Sequence, residues 1–408
     1  MKCFFADEAG VVTRKLRIAI ASAGRFHVLD LARELHALGH DVKFYSYVPK
    51  RRAMTFGLPA ECHVALLPFV APFVAWQLKL PRAAPDLREA LTWWALNQAV
   101  MSRLQPCDVF IAMSGMYLEA PQYARRKFGA KIVIVRGSKH ILAQDEILAR
   151  TLGAERPSPL SIERELAGYS IADMIAVPAR HVACSFKHDS SALAKLKVNT
   201  YGVDLHAFPL LPARPRTAKP VLVFAGTWCL QKGSDLLQQV IEADARYSLV
   251  HVGPLGDHSF PHGHPRFCHI PKVDQSVLSD IYRKADAFIQ PSRQDGLSNV
   301  ITQAVASGLP VLCTDVTGGE DLHHTPTLEA RIDVVPAEVL GALQHGLDRL
   351  YQRLAYGPDF PPITESDRAT LSWRAFALRY EANLSALLNE AGCASEATMA
   401  VSVTLAEL

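Results

Sequence analysis

The sequence predicts an α/β protein made of two doubly wound domains, each a parallel sheet with helices on both faces, facing one another across a cleft. Three observations carry this. Short apolar segments alternate with amphipathic helical ones along most of the 408 residues, the order that yields parallel sheets covered on both sides. The alternation is interrupted by a stretch holding Pro209, Pro212, Pro215 and Pro220, and then begins afresh. The composition, 49% hydrophobic and 20% charged, suits a chain that buries large cores and excludes a disordered or fibrous one.

The first element is the apolar run LRIAIAS at 16–22, read as a buried strand. A helix follows at 25–38, with Val28, Leu31, Ala32 and Leu35 at helical spacing and Gly39 as its stop. Further strands read at 41–48, 108–113, 131–135, 174–177 and 198–203, so residues 1–207 form the first domain and 208–220 a linker. The second series opens with VLVFAG at 221–226 and a helix from Ser234, with strands at 247–253, 287–290 and 311–314. This second domain spans 221–369, a helix covers 370–391, and 392–408 reads as a flexible tail.

A net charge of +3 argues against nucleic-acid binding driven by bulk charge. The eight cysteines are scattered without a Cys-x-x-Cys pair, which points to reduced thiols rather than a disulfide framework or zinc site. Residues 1–9 carry Lys2, Asp7 and Glu8 and lack an export-signal core. The apolar stretch 64–78 is broken by Pro68 and Pro72, short of the roughly 20 residues a spanning helix needs. The expectation is a soluble, cytoplasmic chain.

The chemistry concentrates in PSRQDGLSNVITQAVASGLPVLCTD at 291–315. A strand ends at Pro291 and Ser292, a carboxylate follows at Asp295, Gly296 turns the chain, and a helix begins near Asn299. The free amides of that helix start suit an anionic oxygen. Asp295 can accept hydrogen bonds from paired sugar hydroxyls, and Gln303, one turn inside, can reach a ribose. The segment FAGTWCLQKGSDLL at 224–237 places Gly226 at a strand end and Lys232-Gly233 at a helix start. A lysine is disfavoured there by the helix dipole unless an anion is bound.

These segments resemble the donor-site signature of retaining GT-B glycosyltransferases, the family-four type (glycosyl transferases group 1). In that family two glutamates stand where this chain has Asp295 and Gln303. The resemblance implies two Rossmann-like domains, with Asp295 facing the donor sugar, Gln303 the ribose and Lys232 the donor pyrophosphate. Gly226, Thr227, Gly296, Leu297, Ser298, Asn299 and Val300 complete the implied donor site. Many members carry an arginine just after the strand-end glycine, where this chain has Thr227 and Trp228. Residues 165–177, KVNTYGVDL at 197–205 and Trp373 also resemble the family, whose last helix commonly crosses back onto the first domain.

The loop after the first strand holds Gly24 but no Gly-x-Gly-x-x-Gly, so a dinucleotide cofactor is not expected. Gly24 either lets backbone approach the donor phosphates or simply makes the turn. A family histidine after the fourth strand is missing from AMSGM at 112–116, whereas RGSKH at 136–140 offers His140 as a catalytic candidate or as a structural helix-start residue.

The implied activity is transfer of a sugar from a UDP- or GDP-linked donor to a sugar or lipid-linked acceptor hydroxyl, with retention, in polysaccharide or glycolipid synthesis. No motif calls for a metal or other cofactor, and no nucleic-acid partner is expected. Phe69, Phe73, Trp76, Trp93 and Trp94 near Lys50, Arg51 and Arg52 suggest either core packing or peripheral membrane contact through 50–96, at the inner face. A nucleotide-sugar 2-epimerase and a non-catalytic nucleotide-sugar binder remain as alternatives.

Overall fold

The computed structural model describes residues 14–77, 85–151, 153–154, 156–212 and 215–406. Domain one is a seven-stranded sheet of β1 (Arg17–Ala21), β2 (Asp41–Ser46), β3 (His63–Ala65), β4 (Val109–Met113), β5 (Lys131–Val135), β6 (Met174–Val177) and β7 (Leu196–Val198). Domain two is a six-stranded sheet of β8 (Val221–Ala225), β9 (Ser248–Val252), β10 (Phe267–Ile270), β11 (Ala287–Gln290), β12 (Val311–Thr314) and β13 (Ile332–Val335). The strand orders are 3-2-1-4-5-6-7 and 10-9-8-11-12-13, with every pairing parallel.

In each sheet the chain reverses its direction of growth once, between β1 and β4 and between β8 and β11. Connections leave such a switch point on opposite faces and open a crevice at the strand C-terminal ends. Central strands such as β6, β11 and β12 are buried on both faces, hence their unbroken apolar runs.

The sequence reading passed over β3, β10 and β13. All three are edge strands, and their half-exposed residues break the apolar run that marks a central strand. The strand expected at 198–203 is instead the edge strand Leu196–Val198. After it, Asn199 turns its amide onto the Phe376 carbonyl (3.1 Å), and only Val203 forms a bridge, to Ser372.

Two crossings join the domains side by side. The linker from 208 is the first, and the segment before the last helix is the second. At their meeting point Val203 N donates to Leu371 O (2.8 Å), and a Cβ on Gly202 would lie 2.5 Å from the Trp373 Cα. The buried Arg368 guanidinium donates to the Leu205 (3.0 Å), Phe208 (2.9 Å) and Ala306 (3.0 Å) carbonyls, tying domain one, linker and domain two together.

The last helix, Trp373–Ala406, lies against the helix Phe26–Ala37 of domain one, and His40 Nε2 meets Glu381 Oε1 at 2.9 Å. The helix continues past the expected end at 391, through the stretch read as a flexible tail. Ala391, Ala394, Ala397 and Ala400, with no proline, favour that continuation.

Among the described residues no helix is long and apolar enough to cross a membrane. In the 50–96 region Trp93 is buried, while Phe69 and Trp94 are 47% and 55% exposed. Phe73 packs on Trp94 (5.9 Å between rings). The Trp76 side chain lies outside the described residues.

Candidate functional site

The loops after β8 and β11 flank the switch point of domain two. After β8, the 3-10 turn Leu230–Lys232 ends in Gly233 at φ +71°. A Cβ there would sit 2.0 Å from the Pro291 carbonyl oxygen, so only glycine lets the two loops touch. Arg293 N donates to Gln231 O (2.9 Å), and its guanidinium donates to Leu230 O (2.7 Å) and, bidentately, to Asp235 (2.6 and 2.7 Å). Burial works against ionisation of Asp235, yet the Arg293 hydrogen bonds hold its carboxyl below the usual range.

This strapping brings Lys232 Nζ to 2.5 Å from Asp295 Oδ2. Gly296 N donates to Asp295 Oδ1 (2.9 Å), fixing the carboxylate over the bend. The two side chains are 22% and 15% exposed, so the pair is open to solvent and to a ligand. It places an ammonium and a carboxylate together where an open α/β sheet receives its ligand.

The helix Asn299–Ala306 starts immediately beyond. Its N-cap, Ser298, makes no side-chain capping bond; the hydroxyl instead donates to Gln290 Oε1 (3.4 Å). The helix therefore presents its positive pole without an internal side-chain cap. Gln303 is 8% exposed and its Oε1 has no hydrogen-bond partner, an arrangement that costs free energy unless something fills it. Leu297 is buried, Asn299 is exposed, and Val300 O accepts from the Tyr282 hydroxyl (3.2 Å).

Gly226 is bracketed from below. A Cβ on Gly253 would lie 2.1 Å from the Gly226 carbonyl oxygen, which also meets His251 Nε2 at 2.9 Å. Trp228 is fully buried among Phe224, His251 and Phe260. The residue standing near the family's arginine is thus a packing pillar of domain two, and Thr227 Cγ2 faces Gly256.

Domain one meets the Asp295 loop directly. A Cβ on Gly296 would come 1.8 Å from the Gly137 carbonyl oxygen. His181 Nε2 lies 2.9 Å from Gly296 O, and the Gln294 amide donates to the Ser138 hydroxyl. Arg180 pairs with Asp321 (2.9 Å). The 137–139 loop is held from beneath by buried Arg136, which donates to Lys139 O (2.9 and 2.6 Å), Gln144 Oε1 (2.6 Å) and Glu165 Oε1 (2.7 Å). Burial, and then the charge of Asp295, raises the Tyr201 phenol well above its ordinary value. Tyr201 stacks on His27 at 4.0 Å, and burial pulls the His27 imidazole down to about 3.

His140 does not join this group. Its Nδ1 accepts from Leu142 N (3.3 Å) as the N-cap of the helix Ile141–Arg150. The ring packs against Tyr169 and Phe186, with Nε2 3.7 Å from Asp189 Oδ2. In the structure it caps a helix within domain one. The imidazole that touches the Asp295 loop is His181, which sequence reading missed because a lone histidine in the five-residue helix Arg180–Cys184 carries no motif.

Gly24 lies elsewhere again. With Arg25, Phe56, Lys272, Asp274 and Trp373 it lines an interdomain cavity of about 1180 Å³ whose walls include neither Lys232 nor Asp295. Among the described residues no group of three or more His, Cys, Asp or Glu is arranged to hold a metal ion.

Residues 219–352 match the family model described as Glycosyl transferases group 1. No curated protein matches the chain in sequence. Among solved structures, sucrose-phosphate synthase from Thermosynechococcus elongatus is similar at 17% identity and TM-score 0.60, covering 96% of this chain and 99% of its own. The catalytic domain of starch synthase IV from Arabidopsis thaliana is similar at 11% identity and TM-score 0.61, over 92% and 100%. HepE from Anabaena is similar at 11% identity and TM-score 0.55, over 93% and 100%. Residues 219–352 are accordingly a glycosyl transferases group 1 domain, carried in a chain with the two-domain GT-B fold.

Proposed function

We propose that the protein transfers a hexose from a nucleoside diphosphate sugar to an acceptor hydroxyl, with retention of anomeric configuration, in polysaccharide or glycolipid synthesis. The observation that carries this reading is the Lys232–Asp295 pair, 2.5 Å apart and part-exposed at the domain-two switch point. Lys232 and the pole of the helix Asn299–Ala306 bind the pyrophosphate and offset the charge that grows on the leaving nucleotide. As the ammonium turns to phosphate, Asp295 is released to accept hydrogen bonds from the sugar hydroxyls. Gln303 Oε1 takes a ribose hydroxyl. The acceptor hydroxyl is presented from domain one, and contact between the 137–139 and 294–296 loops excludes water.

Two of the similar structures support a nucleotide donor: starch synthase IV was solved with ADP and acarbose, and HepE with UDP-glucose. The exposed Phe69 and Trp94 support peripheral contact at the cytoplasmic membrane face and a lipid-linked acceptor.

The test begins with thermal stabilisation by a panel of UDP- and GDP-linked sugars, followed by NMR of the product anomer. Lys232→Ala and Asp295→Ala should each lower transfer by about 10²–10³-fold. Their melting points should barely move, because a part-exposed pair contributes at most about 1 kcal/mol. Near-normal transfer in either variant rejects the proposal. An epimer formed from donor alone would favour the epimerase, and binding without turnover a non-catalytic binder.

A further inference from the structure

A second cavity, of about 450 Å³, lies where β11, β12 and β13 begin, at the opposite edge of domain two from the Lys232–Asp295 pair. Its walls include Leu211 of the linker with Leu309, Phe360 and Ile363, and it holds two guanidinium groups, Arg331 and Arg353. These stand 5.1 and 3.9 Å from the centre of the Phe360 ring. Arg331 is only 9% exposed, and its Nε has no hydrogen-bond partner. Each arginine donates to one backbone carbonyl, Pro361 O and Ala330 O respectively (both 2.7 Å).

Neither is in an ion pair among the described residues. Burial, and then repulsion from Arg353, lowers the Arg331 guanidinium to about 10. Burial lowers Arg353 too, against the pull of Asp333, a carboxylate already paired with Arg349 (2.7 Å). Asp286 and Asp359 also line the cavity, as does Arg216; Asp286 accepts from Val221 N (2.8 Å) at the start of β8. A buried guanidinium beside a half-buried one, neither paired with a carboxylate among the described residues, is costly to hold. An apolar chamber of this size with a few convergent polar groups has the character of a small-molecule site.

We propose that this cavity binds a small amphiphilic anion. A carboxylate or phosphate monoester head sits on Arg331 and Arg353, and an apolar body lies against Leu309, Phe360 and Ile363. The ligand is neither donor nor acceptor, since the site faces away from the donor loops. Because Leu211 belongs to the linker, an occupant also braces the segment that joins the domains.

Isothermal titration of the full chain with octanoate, octyl phosphate, octanol and inorganic phosphate tests this. Octanoate or octyl phosphate should bind with one-to-one stoichiometry, at least about ten-fold more tightly than octanol or inorganic phosphate. Which of the two binds more tightly identifies the head group. Arg331→Met should weaken that binding by about ten-fold or more; Arg353→Met, on the less buried arginine, provides the same readout if the first variant does not fold. Asp295→Ala should leave it unchanged. Equal binding of octanol or inorganic phosphate, no binding by either anion, or affinity unaffected by the arginine variants overturns the proposal.

Discussion

Replacing Gly296 with alanine adds one methyl group where the Asp295 loop meets domain one. Gly296 does not use the left-handed backbone region, so the substitution carries no conformational strain of its own. The new Cβ would lie 1.8 Å from the Gly137 carbonyl oxygen, where ordinary contact begins at 3.4 Å. The loops must therefore part by the difference, about 1.6 Å. That movement breaks the His181–Gly296 hydrogen bond, now 2.9 Å, and the Gln294–Ser138 bond. Each contributes about 1 kcal/mol, so the melting point should fall by only a few degrees.

The rate should fall much further, because misplacing reacting groups by about 1 Å can cost about 10²-fold. The assay pairs initial rates, using whichever nucleotide sugar stabilises the protein, with a thermal denaturation scan. Turnover within a few-fold of the parent, in a protein whose loops are still in contact, would refute the claim that this contact completes the site. A large loss of stability would refute it differently, by showing the contact to be part of a core.

Three further outcomes can be checked. Arg136→Ala should destabilise the chain by about 3–5 kcal/mol in urea denaturation, because Glu165 is left buried without its 2.7 Å partner; Arg136→Ala with Glu165→Gln should recover part of that loss. His140→Ala should cost about 1 kcal/mol and His140→Asn less, as for a helix N-cap, with transfer rates nearly unchanged in both. Stability should fall as pH drops below about 6.5, the ordinary histidine value. Buried His27 and His251 are lowered to about 3 and about 4 when folded, so below that pH the unfolded chain takes up protons the native state refuses. Their contribution is complete at neutral pH and is lost progressively towards pH 4. Denaturation midpoints that stay flat from pH 7 to pH 4.5 would contradict it.

The two-sheet plan was legible because central parallel strands must be apolar on both faces, as β11 and β12 are. The loops of the candidate site were legible because Lys232-Gly233 and Asp295-Gly296 each follow such a strand. What faces them was not. The Gly137–Gly296 contact, His181 on Gly296 O, and the Arg136–Glu165 pair join residues far apart in sequence and carry no local pattern. The capping role of His140 was not legible either. An imidazole at a strand end looks available for chemistry, yet the following helical run needed a cap and took its Nδ1. The edge strands β3, β10 and β13 escaped because half-exposed pleats tolerate polar residues.

The paired crossings near Val203 and Ser372 restrict how the molecule can breathe. One connection would act as a swivel. Two, bolted together by Arg368 and by the tight stacking of Gly202 on Trp373, act as a door's twin pins and leave essentially a single axis of rotation. Any opening about such pins is greatest far from them, so substitutions at Arg368 or Gly202 should be felt at the loops facing each other across the domains.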